Sequence, residues 1–132
     1  MANGTHSYLE DVRNKNIKIY VNGKIIPRVY ASISVFDSGF LLGDGVWEGI
    51  RLLNGKLVFI EEHLNRLYFG AKRLDIKVGY SIEELTKIIY QTLNVNKMIN
   101  DVHIRLIVSR GLKKTPYQHP NANIKGSTLV II

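Results

Sequence analysis

The sequence contains no cysteine, which excludes disulfides, thiol nucleophiles and thiolate-bound metals and suits a reducing, cytoplasmic setting. It lacks any apolar run near the roughly 20 residues that a membrane helix needs. The stretch Met1 to Asn16 is polar, with Glu10 and Asp11 in it, and reads as a leader with neither signal nor transit character, so no membrane association is expected. Negative charge is scarce: 18 Lys+Arg stand against 11 Asp+Glu, giving +7. That balance favours a polyanion or a phosphorylated ligand. The cations are scattered, however (Lys15, Lys18, Lys24, Lys56, Lys77, Lys87, Lys97), and the dense pair Lys113-Lys114 falls in a loop. A nucleic-acid footprint clusters its Lys and Arg, so these read as solvated surface. Walker, His-Glu-x-x-His and Gly-x-Ser-x-Gly motifs are also missing, and the histidines His6, His63, His103 and His119 lie too far apart for a local metal motif.

What is present is the composition of one globular domain, with 45% apolar and 22% charged residues over 132 positions. Two β-rich runs flank Asn22-Gly23, and two more flank Asn54-Gly55. Each reads as a hairpin, because both turn residues must accept positive φ. The second hairpin is expected over Gly49–Leu53 and Lys56–Ile60. From Glu61 the period changes, and Ile60, Leu64, Leu67, Tyr68, Ala71 and Leu74 share one helical face. A second helix is expected from Ser81, which has capping-box spacing to Glu84, to about Asn94–Asn96, burying Ile82, Leu85, Ile88, Ile89 and Leu93. Val102–Val108 reads as a strand, Gly111–Gly126 as a long polar loop and Ser127–Ile132 as a final β-branched strand. The order predicts an α+β two-layer sandwich: a mainly antiparallel sheet from two hairpins and two later strands, with two helices on one face.

The stretch best suited to chemistry runs from Phe36 to Arg51, where Gly39, Gly43, Gly45 and Gly49 sit among apolar residues and permit close backbone approach. Glu48 and Arg51 flank Gly49, and Trp47, the lone tryptophan, stands beside them. Further on, His103-Ile104-Arg105 places two polar side chains on one strand face, an arrangement that suits a carboxylate or simply a part-exposed sheet. Arg66 sits at the edge of the helical stripe, where by itself it reads first as an ordinary surface arginine, although a forked guanidinium there could reach a phosphate.

Taken together these segments resemble the class IV (fold-type IV) pyridoxal-phosphate-dependent aminotransferases, from about Ile17 to Ile132. Gly43-Asp44-Gly45-Val46-Trp47-Glu48-Gly49-Ile50-Arg51 is similar to the Phe-Glu-Gly-Ile-Arg core of branched-chain aminotransferases and to the Gly-Asp-Gly-Val-Tyr-Glu core of D-amino-acid aminotransferases. Glu62-His63-Leu64-Asn65-Arg66-Leu67 resembles the family's Glu-His-x-x-Arg-Leu helix, whose arginine binds the cofactor phosphate. His103-Ile104-Arg105 matches a Tyr-x-Arg of the branched-chain enzymes, with histidine in place of tyrosine, while Ser109-Arg110-Gly111 resembles the Thr-Arg-Gly of the D-amino-acid and aminodeoxychorismate-lyase branches. The D-amino-acid branch carries an Arg-x-His trap after that glycine, and Leu112 to His119 contains no arginine, which tilts the balance toward branched-chain L-amino acids.

The resemblance implies amino-group transfer between an amino acid and a 2-oxo acid. It implies pyridoxal 5'-phosphate as cofactor, Arg66 as its phosphate ligand, and Leu42, Trp47, Arg51, His103 and Arg105 as substrate contacts. It also implies a homodimer in which the Gly111–Gly126 loop reaches a neighbouring site, and a cofactor-bearing lysine in a second domain. No lysine here stands in a matching motif, so residues 17–132 are expected to be the N-terminal domain, inactive alone. Rival readings are a D-amino-acid or amine transaminase, a lyase of the same fold, and a non-catalytic basic binding module.

Overall fold

Both Asn-Gly pairs turn the chain as their chemistry predicts. In the structure, a computed structural model that describes residues 9–124 and 126–132, Asn22 and Gly23 have φ of 47° and 92°, and Asn54 and Gly55 have φ of 47° and 75°. The first pair joins β1 (Lys18–Val21) to β2 (Lys24–Pro27), and the second joins β3 (Gly45–Leu53) to β4 (Lys56–Leu57). With β5 (Val102–Ser109) and β6 (Thr128–Ile131) they form a six-stranded sheet in the order β2-β1-β6-β5-β3-β4. Every pairing among the described residues is antiparallel.

Two amphipathic helices cover one face. In α2 (Ile60–Arg73) the residues Leu64, Leu67 and Ala71 are buried, and in α3 (Ile82–Val95) Leu85, Ile89 and Leu93. The α3 cap is complete: Ser81 Oγ accepts from the Glu84 amide at 3.1 Å, and Glu84 Oε2 accepts from the Ser81 amide at 2.7 Å. Facing them from the sheet are Tyr20, Ile50, Leu52, Ile104, Leu106, Val108, Leu129 and Ile131. Each fully buried Leu or Ile contributes roughly 1.5–3 kcal/mol, and this shared interior holds the two layers together as the α+β sandwich read from the sequence.

The differences are local. β3 starts at Gly45 rather than Gly49, so the glycine-rich stretch is half strand. Its other half holds a short helix, α1 (Ser38–Leu42), capped by the Asp37 carboxylate on the Gly39 amide. β4 is only Lys56–Leu57, because Phe59 takes φ of 51° and the chain swings directly into α2. Leu74, placed on the buried stripe by periodicity, caps α2 and is half-exposed. Lys113, expected at the surface, is buried to 1% exposure: bridging of Lys113 to Asn123 folds the 111–126 loop over it, and Nζ donates to Asn123 Oδ1 at 3.0 Å. Of the polar stretch 1–16, residues 1–8 lie outside the described residues. Val12–Asn14 forms a 3-10 turn, and Arg13 donates to the Asn100 and Asp101 carbonyls.

Candidate functional site

Strand alternation sorts β3 and β5 into two faces. Ile50 and Leu52 point into the core with Ile104 and Leu106. Trp47, Gly49 and Arg51 therefore share the opposite face with their partners Ile107, Arg105 and His103. Neither α2 nor α3 lies on that face; α1 meets only its far end, at Ser109. The register thus brings together four of the six expected site residues: Trp47, Arg51, His103 and Arg105.

Arg105 lies over Trp47, its Cζ 4.0 Å from the ring centroid, a cation–π contact that fixes a permanent charge on an apolar wall. Its N–H groups donate to no side chain or carbonyl among the described residues, apart from the backbone ladder. Gly49, opposite Arg105, keeps the floor between them low: a Cβ there would stand 3.0 Å from His103 Nε2. His103 is exposed along the strand, but partial desolvation pushes its pKa down, and the neighbouring Arg105 and Arg51 charges push it further. The basic pair read from the sequence is thus one fixed cation beside an imidazole held toward its neutral form. Arg51 makes a loose 3.6 Å pair with Asp101, both exposed, a surface contact of little energetic weight. Leu42 comes from a different element, the last turn of α1, and is 38% exposed.

Arg66 belongs to the other face. It rises from α2 with its side chain 70% exposed, and it meets Glu48, whose side chain is 5% exposed. Arg66 Nε donates to Glu48 Oε1 at 2.7 Å and Nη2 donates to Oε2 at 2.6 Å, a planar fork. His63 Nδ1 lies 2.7 Å from the same Oε2. The Arg66 hydrogen bonds hold the Glu48 carboxyl below its usual range, against burial and with help from His63. Sequence reasoning left Glu48 and His63 without a role. Their signals were a carboxylate at an inward strand position, between Val46 and Ile50, and an imidazole one turn before Arg66 on the same helix.

A third polar group joins the loop ends. Arg110 pairs with Asp44 at 2.6 Å and donates to the Leu74 and Asp75 carbonyls at the end of α2, while Ser38 Oγ donates to Asp44 at 2.9 Å. Burial works to raise the Asp44 pKa, but the Arg110 and Ser38 hydrogen bonds prevail and lower it. His103 and Arg105 also line a cavity of about 1020 Å³ between residues 9–19, α3 and the ends of β5 and β6; it reaches neither Trp47 nor Arg66. No group of three or more His, Asp or Glu among the described residues could hold a metal, and no described helix is long and apolar enough to cross a membrane.

Comparison with known proteins gives one family. The model for amino-transferase class IV matches residues 45–131. A putative branched-chain-amino-acid aminotransferase of Methanocaldococcus jannaschii is 46% identical over 73% of this chain and 33% of its own length. A D-alanine aminotransferase of Staphylococcus haemolyticus is 32% identical over 82% of this chain and 38% of its own length. Among solved structures, the branched-chain aminotransferase of the archaeon Thermoproteus uzoniensis with norvaline superposes with a TM-score of 0.73 at 26% identity, over 89% of this chain and 40% of that one. The chain thus spans between about a fifth and two fifths of the length of the proteins it matches.

Proposed function

The chain belongs to the class IV amino-transferase family, and from that membership we propose that it supplies part of the site for pyridoxal-phosphate-dependent transfer of an amino group between an amino acid and a 2-oxo acid, with branched-chain L-amino acids favoured. The observation that carries this reading is the Arg105–Trp47 stack on the open sheet face. An amino acid presents a carboxylate and, for the branched-chain members, an apolar side chain. A guanidinium fixed against an indole offers a partner to each. His103 adds a hydrogen-bonding group without a second charge, Arg51 a solvated cation at the rim, and Leu42 further apolar surface.

Pyridoxal phosphate, when bound, supplies the carbonyl that takes up the amino group and the electron sink that stabilises charge at the substrate α-carbon. The donor set fits its phosphate. Arg66 is accessible, always charged and held in plane, and its Nη1 donates to no described residue. Arg66 is therefore assigned to the phosphate. The lysine that carries the cofactor belongs, on this reading, to the part of the relatives that the chain does not cover, and residues 17–132 act as the N-terminal domain of a homodimeric enzyme.

Arg105→Ala in the full-length protein tests the assignment. Losing a charged, forked contact weakens carboxylate binding while leaving the apolar wall in place. The kcat/KM for leucine or its keto acid is expected to fall about ten- to a hundredfold, with little change for an amine that lacks the carboxylate. If D-alanine or the amine is the better wild-type substrate, the branched-chain preference is wrong; equal losses for all substrates would make Arg105 structural.

A further inference from the structure

We propose that Glu48 is a positioning residue for an oxyanion site at Arg66: from inside the protein it sets the plane of an otherwise solvent-exposed guanidinium, and His63 holds Glu48 in turn. The proposal rests on the reading of Arg66 as the phosphate ligand and adds the device that prepares it.

The argument starts from a mismatch of exposure. An arginine side chain 70% open to solvent ordinarily samples many rotamers, and an anion that binds it must first select one. Here the guanidinium has no such freedom. Glu48 is anchored on β3, opposite Leu106, at a position whose neighbours Ile50 and Leu52 belong to the core. Its two oxygens take Nε and Nη2 of Arg66 in one plane, at 2.7 and 2.6 Å. The N–H groups left over are the second on Nη2 and both on Nη1, and one from each nitrogen points along the end edge of that plane, away from Glu48. Two parallel donors on one edge match two oxygens of a phosphoryl group.

His63 completes the arrangement. Nδ1 stands 2.7 Å from Glu48 Oε2. An ionised carboxylate only accepts, so Nδ1 must carry the hydrogen. It follows that the 3.4 Å approach between Arg66 Nη2 and His63 Nδ1 brings two donors together and is no hydrogen bond. Both residues instead converge on one carboxylate. His63 and Arg66 stand one turn apart on α2, so this helix face is pinned to β3 through a single side chain.

The arrangement predicts a sign that charge alone would reverse. Glu48 is an anion beside an anion site, and removing its charge should strengthen phosphate binding if it were a bystander. As a positioning residue, its removal must weaken binding, because the guanidinium is released.

The test uses this chain and its Glu48→Gln and Arg66→Ala variants, with pyridoxamine 5'-phosphate as the probe, since it cannot form an adduct with lysine. In the wild type, nitrogen relaxation at Arg66 Nε is expected to give an order parameter near the rigid value of about 0.85, falling below about 0.6 in Glu48→Gln, while backbone amide spectra stay those of the folded protein. Long-range nitrogen–proton spectra should place the His63 hydrogen on Nδ1. Probe affinity is expected to drop about tenfold in Glu48→Gln. A mobile Arg66 in the wild type, an Arg66 that stays rigid in Glu48→Gln, or tighter binding by Glu48→Gln would each overturn the proposal. Unchanged affinity in Arg66→Ala would instead refute the phosphate reading while leaving the positioning intact, and if no form binds the probe, the relaxation data alone decide.

Discussion

Arg66 and Arg105 are held by opposite means, one by a carboxylate and the other by an aromatic ring, and the difference sorts their chemistry. A guanidinium paired along one edge is held in a fixed plane with its remaining donors free for a phosphate, at some cost in attraction. One stacked on indole keeps its full charge, which suits a single carboxylate. In the full-length protein, Arg66→Ala is expected to lower retention of pyridoxal phosphate about ten- to a hundredfold, through loss of a charge-assisted hydrogen bond; equilibrium dialysis reads it, and an unchanged affinity would return Arg66 to the ordinary surface. Period-two alternation made the shared face of His103 and Arg105 legible in the sequence, whereas Trp47 and Arg51 join it through the β3–β5 register. Glu48 was not legible as a partner of Arg66, because residues 18 positions apart on different elements meet only once α2 has docked on β3. The neutral tendency of His103 was hidden for a similar reason: it depends on partial desolvation in the fold, on Arg105 and on Arg51 across the strand pair.

At the scale of elements, hairpins and long helices were readable because each repeats its signal, through turn chemistry or over several turns of apolar period. α1 was not, since Ser38–Leu42 is too short to show a period and has glycine at its second position. What stabilises it is tertiary: Ser38 and Arg110 both bind Asp44, and Arg110 also ties in the carbonyl end of α2, where a cation is favoured by the helix dipole. Lys113 escaped for the same reason, since nothing in a Lys-Lys pair says which lysine a loop will close over. The Asp44–Arg110 pair makes a prediction about acid. The folded state holds the Asp44 pKa below its unfolded value, so its contribution is fully present above the unfolded pKa and is lost as pH falls through the folded one. Asp44→Asn is expected to cost about 1–3 kcal/mol at neutral pH, with the gap to wild type closing below about pH 4. Urea midpoints measured across that range decide it, and a difference independent of pH would assign the effect to packing.

The whole molecule is a sheet with one face sealed by α2 and α3 and the other carrying its polar, aromatic strand pair uncovered. That division was foreseen as a fold, but not as a statement about which side of each strand works: Glu48 points inward from β3 to meet the exposed Arg66, while Trp47 and Arg105 share the outward face. Every described lysine except Lys113 is exposed, and the Lys113 amine is engaged by Asn123. Pyridoxal phosphate mixed with this chain is therefore expected to leave only scattered, substoichiometric labelling after borohydride reduction; mass spectrometry showing one lysine fully modified would place the cofactor-bearing group here after all. The Arg105–Trp47 stack has a further use. Trp47 is the chain's single tryptophan, so all indole emission excited at long ultraviolet wavelengths originates on the open face, beside a guanidinium 4.0 Å away. The protein thus carries a built-in optical probe, and whatever settles on that face reports itself without a label.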